Sequence, residues 1–179
     1  MIDEKKKQIR KEIRRLKSHV ALEEKKARSA KILEKVEAIL DFQEAKTIML
    51  YWSMEDEVHT HEFVCKWAQK KRIILPCVDG DQLLLKEFKG LDTLVDGDLF
   101  GIPEPDGPVF EKPEEIDLIL VPGVAFDTKK NRMGRGKAYY DRLLKSVDAF
   151  KLGICFDFQL LDEVPVDEHD VKMNLIISE

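Results

Sequence analysis

The chain has 179 residues, of which 44% are hydrophobic and 36% charged, with a formal net charge of −5. This size and composition are typical of a globular protein, so we expect residues 1–179 to form a single domain. No apolar run is long enough for a membrane span or placed as a secretory signal, so we expect a cytoplasmic location. Aromatic residues are too sparse among the basic residues for a surface that binds nucleic acid.

The predicted elements alternate between helices and strands. In chain order they are helices at 3–17 and 22–40, a strand at 47–52, a helix at 60–71, strands at 72–76, 82–88 and 117–122, a helix at about 135–146, and strands at 151–156 and 174–178. The strand at 82–88 alternates only weakly, and residues 90–113 are rich in turns. This alternation predicts an α/β fold whose sheet is mostly parallel and covered by helices on both faces.

Three charged segments follow predicted strands. They are residues 53–60, 122–141 and 157–170. In open α/β sheets, ligands bind outside the carboxyl ends of the strands. We therefore expect the three segments to converge on one crevice.

The segment VPGVAFDTKKNRMGRGKAYYDRLL, at 121–144, has the parts of an anion site. Two glycines let the backbone approach a ligand, and the following helix would direct its N-terminal amides at the same place. A glycine turn alone is equally compatible with a plain connection, but the three cations at 132, 135 and 137 favour the anion site. Asp141, one turn into the helix, can hold Mg²⁺ beside phosphates or simply interact with the helix dipole.

Two further segments carry candidate side chains. Lys6 and Arg10 are i,i+4 neighbours, and Lys6 lies only about 20° from Ile13 on the helical wheel, so the pair can either reach an anion or snorkel to solvent. Trp52 and Glu57 follow the first strand. A carboxylate near an aromatic ring can recognise a heteroaromatic ligand.

Five blocks, in this order, resemble the 5-formyltetrahydrofolate cyclo-ligase family, also called methenyltetrahydrofolate synthetases. They are K-x-x-x-R at 6–10, SMEDEVHT at 53–60, GIPEP at 101–105, the long segment at 121–144, and VPVDEHDVKMN at 164–174. The resemblance implies a three-layer α/β/α sandwich of the Rossmann-like kind. It also implies conversion of 5-formyltetrahydrofolate to 5,10-methenyltetrahydrofolate with ATP and Mg²⁺, by a monomer, with release of ADP and phosphate.

The resemblance also implies roles for individual residues. ATP would be bound by a basic and glycine-rich set: Lys6, Arg10, Arg132, Gly134, Arg135, Gly136, Lys137, Ala138, Tyr139 and Tyr140. Catalysis would involve Lys137 and Arg135 near the transferred phosphoryl group, together with Glu57. Folate would contact Trp52, Glu57, Phe100, Glu104 and Tyr139, and Mg²⁺ would bind Asp141 and Asp170.

Two positions depart from the family pattern. Ala138 stands where the family usually has glycine, and Asn174 stands where it often has an acid that would support the metal site. These departures leave open a non-catalytic relative that only binds folate or nucleotide. A sugar-phosphate isomerase on a similar fold is a third alternative. Such an enzyme needs no ATP, so the basic pair Lys6 and Arg10 would have no assigned function.

Overall fold

The computed structural model describes residues 1–97 and 101–179. Its helices are α1 (Ile2–Ser18), α2 (Leu22–Ala38), α3 (Leu40–Glu44), α4 (His61–Ala68) and α5 (Tyr139–Ser146). Its strands are β1 (Thr47–Met49), β2 (Arg72–Asp79), β3 (Gln82–Glu87), β4 (Leu94–Val95), β5 (Glu104–Pro105), β6 (Leu118–Val121), β7 (Ala125–Asp127), β8 (Arg132–Met133), β9 (Phe150–Ile154), β10 (Leu160–Leu161) and β11 (Leu175–Ile177). No helix in these two ranges combines the length and the apolar character that a membrane crossing needs.

A central sheet of six strands has the order β11-β9-β6-β1-β2-β3. The first five strands run parallel, and β3 joins the edge as an antiparallel hairpin partner of β2. Every residue of β1 and β6 is buried, as expected for apolar runs in the middle of a parallel sheet. The mostly parallel α/β sheet predicted from the sequence is confirmed.

Helices cover both faces of this sheet, which gives three layers. On one face, α2, α3 and α4 pack onto it through buried side chains such as Ile32, Phe42 and Val64. On the other face, Leu144 of α5 packs with Phe126 and the sheet residues Ile119 and Val121.

A second, three-stranded sheet was not predicted from the sequence. It has the order β10-β7-β8; in the chain, β7 and β8 lie between β6 and α5, and β10 follows β9. Helix α1 packs on it, because Ile13 contacts Val124, Ala125 and Met133 in a small core of their own. The small sheet therefore joins α1 to the glycine-rich segment.

The main difference from the predicted elements concerns the helix expected at about 135–146. It begins only at Tyr139, because Gly136 has φ +103° and Ala138 has φ 56°, and neither conformation continues a right-handed helix. The residues before Tyr139 are thus a turn with exposed backbone. Its exposed backbone is accessible to a ligand.

Candidate functional site

A cavity of about 620 Å³ lies at the carboxyl ends of β1 and β6. In the sheet order these two strands are neighbours from which the chain proceeds in opposite directions, so the cavity lies at the switch point of the sheet. Residues of all three charged segments line it, including Glu57, Arg132 and Asp170. Their predicted convergence on one crevice is confirmed.

Arg132 forms a buried wall of the cavity. It belongs to β8, and its Nε donates to the Pro122 carbonyl oxygen at 2.7 Å. Its Nη1 lies 3.6 Å from Asp141 Oδ1, and its guanidinium stacks over the Tyr140 ring at 5.2 Å. Burial lowers the pKa of Arg132, while the nearby Asp141 opposes that shift. The small sheet therefore presents a fixed positive charge at the cavity floor.

Gly134 leaves room for the Arg132 guanidinium, and Gly136 provides a backbone conformation that favours glycine. A Cβ on Gly134 would lie 2.9 Å from Nη2 of Arg132, too close for any side chain without a shift. A Cβ on Gly136 would lie at an ordinary van der Waals distance of 3.5 Å from Arg10, so its φ of +103°, and not a lack of space, favours glycine there; the Arg10 Nε donates to the Gly134 carbonyl oxygen at 3.0 Å. The Arg10 hydrogen bond thus joins helix α1 to the turn on the cavity side.

Lys6 lies between two aspartates of the C-terminal segment. Its Nζ is 2.8 Å from Asp167 Oδ2 and 3.1 Å from Asp170 Oδ2. Burial alone would lower the pKa of Lys6, but hydrogen bonds to the two aspartates outweigh burial and raise it. Asp167 was not predicted as a site residue. Its place three residues before Asp170, in the block VPVDEHD, is the signal that could have identified it.

The two aspartates predicted as metal ligands are brought close together. The backbone N–H of Val171, next to Asp170, donates to Asp141 Oδ1 at 3.5 Å. Asp141 uses only Oδ1 and Asp170 only Oδ2 in the contacts of the described residues, so each keeps one oxygen free. No cluster of three His, Cys, Asp or Glu side chains forms within 1–97 and 101–179. Two free carboxylate oxygens beside an anion site fit Mg²⁺, which binds one or two carboxylates together with phosphates and water.

Arg135 contacts the carboxylates that follow β1. Its Nη2 lies 2.9 and 3.0 Å from the two oxygens of Asp56 and 3.9 Å from Glu57 Oε2. Asp56 is also 3.6 Å from the Nζ of Lys17, a buried lysine of α1. Lys17 was missed in the sequence, although it lies 11 residues after Lys6 and so on the same helix face. Among the described residues, Asp56 and Lys17 do not line the cavity themselves, but Asp56 contacts Arg135, which does.

Trp52 and Glu57 form the wall of the cavity nearest β1. The Trp52 ring stacks on His61 with centroids 4.0 Å apart, and Met54 N–H donates to Glu57 Oε1 at 2.9 Å. Burial raises the pKa of Glu57, against the effect of the Met54 hydrogen bond and of Arg135. The wall therefore combines a rigid aromatic face with a carboxyl group that is suited to take up a proton.

The start of α5 lines the cavity opposite Trp52. Lys137, Ala138, Tyr139 and Tyr140 all line it, and the Tyr139 hydroxyl donates to the Gly80 carbonyl oxygen at 3.1 Å. Burial raises the pKa of Tyr140 well above its ordinary range. The Lys137 side chain is exposed in the cavity. The predicted nucleotide-binding and catalytic residues of this turn are therefore together at one wall.

The expected folate residues of the 101–105 block are placed only in part. Glu104 lines the cavity and accepts the Val78 N–H at 3.1 Å, while Phe100 lies outside the described residues. The role suggested for position 174 near the metal is wrong. Asn174 pairs with Lys151 at 2.8 Å, at the opposite ends of β9 and β11 from the cavity, so its amide has no part in the metal site.

Comparisons with known proteins identify the family of this chain. The profile of the 5-formyltetrahydrofolate cyclo-ligase family matches residues 2–179. The chain is 31% identical to the 5-formyltetrahydrofolate cyclo-ligase of Mus musculus, over 96% of this chain and 92% of that protein. It is 29% identical to the protein of that name from Haemophilus influenzae, over 97% of each chain.

Two solved structures share the fold. The 5,10-methenyltetrahydrofolate synthetase of Aquifex aeolicus superposes with a TM-score of 0.86 at 34% identity, covering 96% of this chain and 88% of that one. A 5,10-methenyltetrahydrofolate synthetase from Mycoplasma pneumoniae gives 0.78 at 29% identity, covering 97% and 98%. From these matches and its own site, we conclude that the chain belongs to the 5-formyltetrahydrofolate cyclo-ligase family of enzymes.

Proposed function

We propose that this protein converts 5-formyltetrahydrofolate to 5,10-methenyltetrahydrofolate with cleavage of ATP to ADP and phosphate. The observation that carries the proposal is one cavity that combines an aromatic and carboxylate wall at Trp52 and Glu57 with a cationic turn at 134–138. The first wall suits a pterin ring and the second suits a polyphosphate.

The reaction needs activation because the formyl oxygen is a poor leaving group. The formyl oxygen attacks the terminal phosphorus of ATP, the bond from that phosphorus to the bridging oxygen breaks, and ADP leaves. N10 of the folate then attacks the formyl carbon and loses its proton, and phosphate departs as the ring closes. Positioning two substrates and neutralising charge are the main tasks of the protein in such a transfer.

We assign these tasks to the residues of the cavity. Lys6, Arg10 and Arg132 hold the phosphates of ATP, and Lys137 and Arg135 neutralise the phosphoryl group in transfer. Glu57, whose pKa is raised by burial, takes the proton of N10. Asp141 and Asp170 would hold Mg²⁺, which supplies positive charge to the phosphates when bound.

The test is an assay with 5-formyltetrahydrofolate, ATP and Mg²⁺ that follows the near-ultraviolet absorbance of the methenyl product. We expect product only when ATP is present. Lack of any ATP-dependent product at high enzyme concentration, with ligand binding intact by calorimetry, would instead identify a non-catalytic relative.

A variant of Lys137 separates chemistry from binding. Because Lys137 is assigned to the phosphoryl group in transfer, Lys137→Ala should lower kcat by roughly 100-fold or more and leave the KM for folate nearly unchanged. Lys129→Ala, an exposed lysine of the preceding loop outside the cavity, is the matched control. A pure rise in the KM for folate would contradict the assignment.

A further inference from the structure

Lys17 is buried on the face of α1 that also carries Lys6 and Arg10. Its side chain is 7% exposed, and Asp56 at 3.6 Å is its ion-pair partner among the residues that the structure describes. Burial lowers the pKa of Lys17, although Asp56 opposes the shift. A lysine near a helix C-terminus can interact favourably with the helix dipole while it remains exposed to solvent. Helix stability therefore does not explain why the Lys17 side chain is buried.

Asp56 contacts only one of the three nitrogens of the Arg135 guanidinium. Both contacts, at 2.9 and 3.0 Å, come from the single nitrogen Nη2. Within 1–97 and 101–179, Nε and Nη1 donate to no protein atom, and the side chain is 44% exposed at the cavity. A guanidinium binds a carboxylate most strongly as a two-nitrogen fork, so Arg135 retains donors that a phosphate can accept.

Asp56 needs a cation whenever Arg135 turns to another anion. Its side chain is 41% exposed, and burial alone would raise its pKa; Lys17 and then Arg135 outweigh that effect and lower the pKa. Leaving a half-buried carboxylate without a partner is unfavourable. Lys17 already lies close enough to remain that partner.

We infer that Arg135 exchanges its contact with Asp56 for the terminal phosphate of ATP, and that Lys17 is a positioning residue that keeps Asp56 balanced during the exchange. The inference rests on the proposed function, because it takes ATP as the anion. Without Lys17, moving Arg135 leaves Asp56 unpaired, so ATP binds more weakly. ADP lacks the terminal phosphate, so its binding does not depend on the exchange.

The experiment measures the affinities of the full-length protein for ATP and for ADP by calorimetry, in Mg²⁺ and without folate. Lys17→Met should weaken ATP binding by roughly five- to tenfold and leave ADP binding within about twofold. In the Asp56→Asn background the same substitution should have no effect on either nucleotide, because the carboxylate that it unbalances is gone. Lys11→Met, at an exposed position of the same helix, is the matched control.

Lys17→Arg keeps the charge, so it should bind ATP like the wild type; if the methionine variant fails to fold, Lys17→Gln takes its place with the same expected loss. Equal losses for ATP and ADP, or a loss that persists in the Asp56→Asn background, would overturn the inference and identify Lys17 as merely structural. Wild-type protein that binds neither nucleotide would overturn the proposed function and this inference together. ATP binding that folded Lys17→Met leaves unchanged would overturn the inference alone.

Discussion

Ala138 carries its methyl group in a left-handed backbone conformation, with φ 56° and ψ 20°. Glycine adopts this conformation without penalty, whereas an L-residue loses about 1–2 kcal/mol there. The conformation ends the turn and begins α5, so the backbone keeps it in spite of the methyl group. The departure seen in the sequence is therefore a local strain beside the phosphate wall.

Ala138→Gly should raise the free energy of unfolding by up to about 1 kcal/mol, because the strain removed exceeds the added backbone entropy of the unfolded chain. Urea denaturation measures the change. Ala27→Gly, at an exposed position inside α2, is the matched control and should lower the free energy of unfolding by about 1 kcal/mol. Equal destabilisation by both substitutions would mean that Ala138 is not strained.

Glu57→Gln should stabilise the fold at neutral pH while impairing folate use. Burial raises the pKa of Glu57 above its ordinary value of 4.5, so the folded chain binds this proton more tightly than the unfolded chain does. Ionisation at Glu57 therefore lowers the free energy of unfolding as pH rises above about 4.5. Glutamine avoids that penalty and can still accept the Met54 N–H.

Thermal unfolding of the wild type and of Glu57→Gln at pH 4 and pH 7 measures this effect. The Tm of the variant should exceed that of the wild type by about 2 °C at pH 7, and the difference should shrink at pH 4. A variant that is less stable than the wild type at pH 7 would show that the ion pair with Arg135, 3.9 Å away, outweighs burial.

Among the elements, the small sheet has the greatest effect on the site, because it carries Arg132. Its turn is held by Asp127, which accepts N–H bonds from Lys129, Asn131 and Val164 at 2.9–3.0 Å. Asp127 is fully buried and also accepts from the Asn131 side chain. This one carboxylate thus joins β7 to both β8 and the C-terminal segment.

Asp127→Ala should lower the free energy of unfolding at pH 7 by about 2–4 kcal/mol, because it leaves several buried N–H donors without an acceptor. Burial alone would raise the pKa of Asp127, but the hydrogen bonds outweigh it and lower the pKa below its ordinary 3.8. Its contribution is thus complete above about pH 3.8 and is lost as pH falls through the lowered pKa.

Urea denaturation at pH 7 and at acid pH tests this prediction, with Asp162→Ala, an exposed acid of the same region, as the control. The control should change stability by less than about 0.5 kcal/mol. An effect of Asp127→Ala no larger than that of the control would contradict the role given to Asp127.

The elements differ in how well the sequence predicts them. The buried strands β6 and β9 are predictable because they are apolar runs bounded by polar residues. Strand β8 is not, because Arg132 and Met133 carry no strand pattern and form a strand only through pairing with β7. The start of α5 is also displaced from its expected place, since the conformation of Ala138 is fixed by the tertiary structure.

For the whole molecule, the cavity depends on contacts between distant parts of the chain. Its walls run from Asp3 to Asp170, and the Lys6 ion pair joins residues 164 positions apart. Parallel strands end at the same edge, which is why the convergence of three segments was predictable from the sequence alone. The approach of Lys17 to Asp56 was not, because it depends on how α1 packs on the small sheet.

The central claim is that the formyl oxygen becomes part of the leaving phosphate. The most direct test is a single-turnover reaction of this protein with ATP, Mg²⁺ and 5-formyltetrahydrofolate labelled with ¹⁸O in the formyl group, followed by mass spectrometry of the products. We predict that the label appears in the released phosphate, in an amount equal to the methenyl product formed. Label found in water, with unlabelled phosphate, would contradict the account.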